Sequence, residues 1–293
     1  MATTLTQFSR DLAATIDATS PAIIAVHARG RLPSSGIVWE PGLAVTAEET
    51  VARDAELALT LADGRRVEAT LVGRDPSTDI AVLRFAGETP SIARGSVTEL
   101  RPGHVAIAVG RAGADVIAAF GIVALAGGPW HSSHGGKIDA RLRFDLRLTP
   151  SAEGGALVTP DGQLIGMAVY GPRRRVLAIP AATIARVVAT IKDKGHVARG
   201  YLGVSLQSVP VREGDHHRRG AMVVTIDPAG PAHAGGLKQG DIIVAMDGEP
   251  VSGVRAVYQR LGPDSVGRRA TIELLRAGAP TNLEVTIAAR PHG

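Results

Sequence analysis

The sequence predicts a mostly β protein, with two antiparallel halves and a smaller α+β module behind them. Short apolar or alternating segments recur through residues 22–84 and again through residues 105–179, separated by Gly, Pro and Asp. Such spacing, with turn residues between the strands, is typical of antiparallel barrels and sandwiches. After Pro180 the apolar residues change to helical spacing, and residues 199–290 combine strands with one helical segment over the length of a small domain.

The predicted strands divide into three sets. Those of the first half are AIIAVHA, GIVW, LAVTA, LALTL, VEATLVG and DIAVLRF. Those of the second half are HVAIAVG, VIAAFGIVALA, ARLRFDL, ALVTP, QLIGMAVY and RVLAIP. Those of the last module are YLGVSLQ, AMVVTID, DIIVAMDG, RATIELLR and LEVTIAA, with the helical segment VRAVYQRL before the last two.

Two further helices are expected outside these strands. Residues 1–19 form an amphipathic helix that places four apolar side chains on one side, Leu5, Phe8, Leu12 and Ile16. Residues 183–198 form a linker helix with Ile184, Val187, Val188 and Ile191 on one face, and Gly195 suits its C-terminal end. We therefore expect an N-terminal helical segment (1–19), a first domain (20–182), the linker helix and a second domain (199–290).

Composition excludes several classes of protein. Apolar residues make up 45% of the 293 residues and charged residues 20%, which is ordinary for a soluble globular chain. No apolar run reaches the roughly 18 residues that a membrane span needs. The absence of cysteine excludes disulfides and thiolate sites, and the low aromatic content, 3%, argues against a nucleic-acid surface with stacking platforms.

The amino terminus lacks the basic and apolar regions of a signal peptide. As written, the sequence therefore predicts a cytoplasmic protein, and a periplasmic location would follow if the start is incomplete.

Four segments, in the same order along the chain, resemble successive blocks of the HtrA (Deg) proteases. They are DGRRVEATLVGRDPSTDIAVLRF (63–85), RPGHVAIAVG (101–110), AFGIVALA (119–126) and GGALVTPDGQLIGM (154–167). The resemblance implies a trypsin-like double antiparallel β-barrel and a serine, histidine and aspartate catalytic triad.

Two of the three triad positions carry different residues. Asp79, in PSTDIAV, stands at the position of the aspartate. Glu49, in TAEETV, stands where the family has the histidine of a TNNHVV-like block, and Glu153, in TPSAEGGALV, stands at the serine of GNSGGPLV. A glutamate at 153 has no hydroxyl to acylate, and one at 49 cannot exchange a proton near neutral pH as imidazole does.

The surroundings of the triad depart from the family as well. Ser151 replaces a glycine of the oxyanion loop, and a carboxylate at Glu153 would repel the developing negative charge. Arg174, Arg175 and Val176 fall on the strand edge that receives substrate in the family, so their side chains are expected to occupy the groove.

Three arrangements of the resulting carboxylates remain open. The loops relax, or Arg174 or Arg175 neutralises the charge; a calcium or magnesium ion binds with additional oxygen ligands; or one carboxyl group is protonated in a hydrogen-bonded pair. We expect no cofactor. The segment WHSSHGG (130–136) is interpreted as a loop, with a regulatory or metal-binding loop as the alternative, and His27 and His104 are assigned no chemistry.

The C-terminal module resembles the PDZ domain of the same family. RGYLGV (199–204) is similar to the loop that binds a peptide carboxylate, and AGPAHAGGLKQGDIIVAMDGEPV (229–251) to the strand and turn block that follows. The resemblance implies that a peptide adds a strand to the sheet edge. The expected peptide-binding residues are Tyr201, Leu202, Gly203, Val204, Val254, Val257 and Leu261. An apolar C-terminal residue is the natural ligand, and a purely structural PDZ domain is the alternative.

The sequence thus favours a pseudoprotease, a non-catalytic scaffold whose partners are protein C-termini or unfolded peptides. The alternative is a serine endopeptidase with an atypical or misaligned site. Assembly with an active homologue, or a trimer through the segment that holds Phe8, is a further expectation.

Overall fold

The computed structural model describes residues 4–28, 32–51, 56–95, 99–213 and 216–291. The chain divides into two compact units. One contains residues 1–130 and 138–197, and the other contains residues 131–137 and 198–293.

The first six strands close into a barrel in the order β1-β2-β3-β6-β5-β4. They are β1 (Ile23–Ala28), β2 (Ser34–Glu40), β3 (Leu43–Thr46), β4 (Leu57–Thr60), β5 (Arg66–Asp75) and β6 (Ile80–Phe85). Alternation along each strand sends one set of side chains to the interior, where Ile24, Leu59 and Leu83 are fully buried. The antiparallel barrel predicted for residues 22–84 is confirmed.

The second half forms another closed barrel, in the order β11-β14-β13-β12-β7-β8. Its strands are β7 (Val105–Ala112), β8 (Asp115–Gly127), β11 (Arg141–Asp145), β12 (Ala156–Val158), β13 (Leu164–Tyr170) and β14 (Val176–Pro180). A separate two-stranded ladder, β9 (Trp130–His131) and β10 (Lys137–Ile138), lies between β8 and β11 along the chain. Two closed barrels in succession match the fold class that the sequence predicts.

Helix α1 spans Thr4–Thr19, and helix α2 spans Ala181–Lys194. Gly195 ends α2 in the left-handed region, with φ 73°, and its N–H donates to the carbonyl of Ile191 at 2.8 Å. The four apolar residues predicted for this helix are all buried in one core with both barrels, namely Ile184, Val187, Val188 and Ile191. Helix α2 lies in the first unit, because its apolar face completes that core.

A buried arginine fixes the start of the first barrel. Arg111 is 2% exposed, and its guanidinium donates to the carbonyls of Ile23, Ala114 and Ser20 at 2.7–3.0 Å. Its backbone N–H donates to the hydroxyl of Ser35 at 2.8 Å. This arrangement joins strand β7 to strands β1 and β2.

The second unit is an α+β module. Its strands are β15 (Gly200–Tyr201), β16 (Val204–Glu213), β17 (His216–Ile226), β18 (Ile242–Met246), β19 (Glu249–Pro250), β20 (Arg269–Arg276), β21 (Ala279–Thr286) and β22 (Ala288–Ala289). Strands β16-β17-β18-β20-β21 form the main sheet, and β15 pairs with β22. Helices α3 (Pro231–Ala234) and α4 (Val254–Arg260) complete the unit. Across the described residues, no helix has the length and apolar character that a membrane crossing demands.

Candidate functional site

Asp79 lies in the tight turn between β5 and β6. The buried carboxylate of Asp75 accepts hydrogen bonds from the N–H and hydroxyl of Ser77 and from the hydroxyl of Thr78, at 2.5–2.9 Å. Asp79 itself has φ 57°, a left-handed conformation that an Asp tolerates better than most residues. The turn therefore fixes both the backbone and the direction of the Asp79 side chain.

Glu49 lies directly beside this aspartate, on the 3₁₀ turn Glu48–Thr50. Its backbone N–H donates to Oδ1 of Asp79 at 3.0 Å, and the N–H of Glu48 donates to the Asp79 carbonyl at 3.3 Å. The neighbouring Glu48 carboxylate pairs with Arg74 at 3.0 Å, and both side chains are 18% exposed. The two triad-like positions, 49 and 79, are thus adjacent as the sequence predicts.

Glu153 completes the group from the second barrel. It follows the 3₁₀ turn Pro150–Ala152, and its Oε1 accepts a hydrogen bond from the N–H of Tyr170 at 3.1 Å. The carboxyl group of Glu49 is near enough to Glu153 to raise its pKa. The three positions named from the sequence therefore converge at one place between the barrels of the first unit.

Burial and mutual repulsion keep protons on this group. The pKa of Asp79 is raised to about 7, chiefly by burial and also by the negative charges of Glu49, Glu153 and Glu48, while the hydrogen bond from the N–H of Glu49 opposes the rise. Burial likewise raises the pKa of Glu153 to about 7, together with its contact with Glu49, and the Tyr170 N–H and Arg174 oppose that rise. These shifts favour a protonated carboxyl group in the cluster near neutral pH, with Arg174 as a nearby positive charge.

At the position of the oxyanion loop, the backbone N–H groups of residues 152 and 153 form hydrogen bonds within their own turn. The N–H of Glu153 donates to the carbonyl of Pro150 at 3.2 Å, and the N–H of Ala152 donates to Thr149 at 2.9 Å. The carbonyl of Ser151 accepts a hydrogen bond from the hydroxyl of Ser35 at 2.6 Å. The Glu153 N–H therefore points into its own turn, where it cannot stabilise a developing oxyanion.

The metal alternative receives no support from the geometry. Within the described part of the chain, no three His, Cys, Asp or Glu side chains are placed to hold an ion. Arg174 lies over the Tyr170 ring at 4.4 Å, and Val176 begins strand β14. Arg174 thus lies over the residue whose N–H bonds to Glu153, and among the described residues Arg175 forms no ion pair.

The histidines show ordinary structural contacts. Nε2 of His27 lies 2.8 Å from Oγ1 of Thr60, and burial together with Arg66 lowers the pKa of His27. In the segment 130–136, the hydroxyl of Ser132 accepts hydrogen bonds from the N–H groups of His134 and Gly136, at 3.1 and 3.2 Å. This is the geometry of a tight turn, which agrees with the loop interpretation.

The second unit holds a separate groove at residues 199–204. Gly203 has φ 75°, and a side chain there would lie 2.9 Å from Cα of Gly230, so the loop needs glycine. The carbonyls of Leu202 and Gly203 accept hydrogen bonds from Ala232 and Asp227 at 2.8 Å. The N–H groups of these two residues have no acceptor within the described chain, and they line a cavity of about 300 Å³.

The cavity lining overlaps the sequence assignment in part, and the peptide-binding residues stay a prediction. Tyr201, Leu202, Gly203, Val204 and Leu261 line it as expected. Val257 does not, because it is fully buried in the core, and Val254 packs against the same core.

The lining residues that the sequence assignment missed are Leu206, Tyr258, Arg199, Gly200, Arg290 and His134. Strand alternation from Val204 and one helical turn from Val254 would have indicated the first two. No local pattern indicates Arg290 or His134.

Comparisons with known proteins agree with both units. The trypsin-like peptidase domain model matches residues 34–167, and the PDZ domain model matches residues 200–287. The chain is 30% identical over 286 residues to a probable periplasmic serine endoprotease DegP-like of Halomonas elongata, covering 90% of this chain and 57% of that protein. A protein of the same description from Chlamydia trachomatis is 30% identical over 267 residues, covering 87% and 53%. The chain therefore spans a little over half the length of these relatives.

Solved structures resemble the chain over nearly its whole length. The HtrA-type protease AlgW with decapeptide has a TM-score of 0.74 at 25% identity, covering 96% of this chain and 99% of that one. The serine endoprotease from Yersinia pestis has a TM-score of 0.71 at 26% identity, covering 99% and 100%.

Proposed function

The chain belongs to the HtrA (Deg) family, with a trypsin-like domain followed by a PDZ domain, and we propose that it is a pseudoprotease, a binding protein that holds the C-terminal ends or unfolded segments of partner proteins without cutting them.

The observation that carries the proposal is the carboxylate at Glu153. Acyl transfer in this family needs a hydroxyl there and an imidazole as its base, and the chain has Glu153 and Glu49 instead. A carboxylate at position 153 has no hydroxyl with which to form an acyl-enzyme, and the negative charge of Glu49 beside it raises its pKa. A nucleophile and a general base are both missing from the place where the fold would align them.

The inward turn at residues 150–153 supports the same conclusion. If another group supplied the nucleophile, the Glu153 N–H would still donate to the carbonyl of Pro150 at 3.2 Å and would not reach the oxyanion. Losing one oxyanion donor typically costs roughly 100- to 1,000-fold in rate. The site is therefore unsuited to proteolysis in its side chains and in its backbone.

The groove of the second unit supports peptide binding. Two adjacent N–H groups without acceptors, those of Leu202 and Gly203, can hold a carboxylate, as PDZ loops do. Val204, Leu206 and Leu261 provide apolar walls for the last side chain of the peptide. We therefore propose that the ligand is a free C-terminus that ends in an apolar residue.

The compartment and the assembly are part of this proposal. The relatives from Halomonas elongata and Chlamydia trachomatis are described as probable periplasmic proteins. We propose the same compartment for this chain, in preference to the cytoplasm. A trimer through the segment that holds Phe8, and assembly with an active homologue, stay predictions.

One experiment tests binding and cleavage together. A fluorescent decapeptide that ends in Ala-Val with a free carboxylate is titrated into the full chain, with the same peptide amidated as the control. We expect the free peptide to bind at least about tenfold more tightly and to be recovered intact by mass spectrometry. Equal binding of the two peptides would contradict the carboxylate site, and a cleaved peptide would favour the alternative, an atypical serine endopeptidase.

A further inference from the structure

The loop 201–204 of the second unit contacts the turn 227–230, which follows strand β17. The N–H of Asp227 donates to the carbonyl of Gly203 at 2.8 Å, and the N–H of Gly230 donates to the carbonyl of Asp227 at 2.9 Å. The two segments are close, since a Cβ added at Gly203 would lie 2.9 Å from Cα of Gly230. The turn therefore packs directly against the loop that lines the groove.

The side chain of Asp227 connects the turn to the loop a second time. Its Oδ1 accepts a hydrogen bond from the N–H of Ala229 at 3.0 Å, and its Oδ2 accepts one from the hydroxyl of Tyr201 at 3.1 Å. The first bond closes the turn, and the second holds a tyrosine that lines the cavity. Burial raises the pKa of Tyr201, Asp227 adds to that rise and Arg290 opposes it, so the hydroxyl keeps the proton that it donates.

These contacts determine where the N–H groups of the loop point. The carbonyl of Leu202 and the N–H of Gly203 belong to one planar trans peptide unit, so they point in opposite directions. That carbonyl accepts a hydrogen bond from the N–H of Ala232 at 2.8 Å. The N–H of Gly203 is therefore directed away from Ala232, towards the cavity that Gly203 lines. The carbonyl of Gly203, held by Asp227, fixes the next peptide unit in the same way.

We propose that Asp227 is a positioning residue of the peptide groove. By holding Tyr201 and the carbonyl of Gly203, it keeps the N–H groups of the loop in the direction that a terminal carboxylate needs. This role rests on the proposed function, since it has meaning only where the groove binds a chain end. Among the described residues that line the cavity Asp227 does not occur, so it acts through the loop and not by touching the ligand.

The negative charge of Asp227 acts in the opposite direction from its hydrogen bonds. A carboxylate beside the loop repels the carboxylate of the ligand, so removing the charge alone should tighten binding, whereas removing the hydrogen bonds should weaken it. Asparagine separates the two effects, because its amide oxygen can accept from Ala229 while its amide nitrogen donates to the hydroxyl of Tyr201. We therefore expect Asp227→Asn to bind at least as tightly as the natural chain, and Asp227→Ala to bind more weakly.

The test uses the full chain and the fluorescent decapeptide that ends in Ala-Val, with a free or an amidated carboxyl end. We expect the natural chain to prefer the free peptide at least about tenfold, and Asp227→Ala to reduce that preference to about threefold or less, with little change for the amidated peptide. Asp227→Asn should keep the full preference. Urea unfolding of each variant shows that a weaker binder is still folded under the conditions of the titration.

A double-variant cycle tests whether Asp227 acts through Tyr201. Tyr201→Phe should reduce the preference as well, and combining it with Asp227→Ala should weaken binding no further than Asp227→Ala alone does. Asp247→Ala is the matched control, because Asp247 is also an exposed aspartate of a turn, and its Oδ1 accepts from the N–H of Thr271 at 2.8 Å. This control should lose stability and keep the full preference.

The outcomes separate this role from the proposed function. Equal binding of the two peptides by the natural chain would overturn the carboxylate site, and the role of Asp227 with it. If the natural chain prefers the free peptide and Asp227→Ala prefers it equally, only the role of Asp227 is overturned. The same follows from an equal loss of preference in Asp227→Ala and Asp227→Asn, or from additive effects of Asp227→Ala and Tyr201→Phe.

Discussion

The backbone N–H of Glu49 donates to Oδ1 of Asp79 at 3.0 Å. The turn that carries Asp79 and the 3₁₀ turn that carries Glu49 therefore keep the aspartate beside the position of the missing base. What has changed is the side chain at position 49, which is now an exposed carboxylate. The fold thus holds Asp79 beside position 49 as in a trypsin-like centre, and the loss of its proton-transfer chemistry is part of the proposed function.

Restoring the catalytic residues should require the oxyanion loop as well. We expect the double variant Glu49→His with Glu153→Ser to remain almost inactive, because the N–H at position 153 still donates to Pro150. Adding Ser151→Gly allows the backbone of that turn to rotate so that the N–H at position 153 points toward the oxyanion. The triple variant should therefore hydrolyse casein about 100-fold or more faster than the double variant.

The control adds Asp79→Asn to the triple variant. It should lose the restored activity, because an intact aspartate is needed to orient the imidazole. Equal rates for the double and triple variants would show that the closed turn does not limit the site.

The free energy of unfolding should depend on pH through Glu153. Because the pKa of its carboxyl group is raised in the folded state, to about 7, the stability it contributes is complete below its unfolded pKa and is lost as pH rises through about 7. Glu153→Gln removes this loss. It should match the natural chain near pH 5 and be more stable at pH 8, by on the order of 2 kcal/mol.

Urea unfolding at pH 5, 6.5 and 8 measures this difference, and Glu56→Gln is an exposed control that should show no such trend. A constant difference between Glu153→Gln and the natural chain at all three pH values would mean that Glu153 is ionised throughout the range.

Gly203 should be needed for peptide binding beyond its effect on stability. Alanine at a left-handed position costs about 1–2 kcal/mol, and here its Cβ would also lie 2.9 Å from Gly230. Gly240 has a similar φ of 87° with nothing within 4 Å of the added Cβ, so Gly240→Ala is a matched control. Both variants should lose stability, but only Gly203→Ala should weaken binding of the free C-terminal peptide, by about tenfold or more. Similar affinities in the two variants would argue against the loop as the carboxylate site.

Arg111 should be a large contributor to the stability of the first unit. Methionine at this position would leave three carbonyls without their donor, those of Ile23, Ala114 and Ser20. We expect Arg111→Met to lower the free energy of unfolding by about 2–4 kcal/mol. Arg84→Met, on the exposed face of β6, should change it by less than about 0.5 kcal/mol. Comparable urea midpoints for the two variants would contradict the role given to Arg111.

Much of the fold followed from local pattern. Alternating apolar runs indicated the strands of both barrels, and helical spacing with Gly195 indicated α2 and its end. The same pattern could not tell that α2 packs into the barrels, because periodicity shows that a helix has an apolar face but not which core that face enters.

The sequence indicated which residues form the candidate site in the first unit, but it did not indicate the hydrogen bonds that surround them. Resemblance to the blocks of the HtrA family located Glu49, Asp79 and Glu153, and the fold brings them together. The closed turn at Pro150–Ala152 depends on contacts with Ser35, which lies 116 residues earlier than Ser151, and no local signal encodes such a contact. In the PDZ groove, helical spacing alone could not separate buried Val257 from its exposed neighbour Tyr258.

Labelling with a fluorophosphonate tests the central claim most directly, since the probe reacts with an activated serine of any serine hydrolase. The full chain is incubated with an excess of probe at pH 8, beside trypsin as a positive control, and the intact mass is measured. The account predicts no mass increase for this chain while trypsin is labelled fully. Stoichiometric labelling at any serine would contradict it and would identify a working nucleophile.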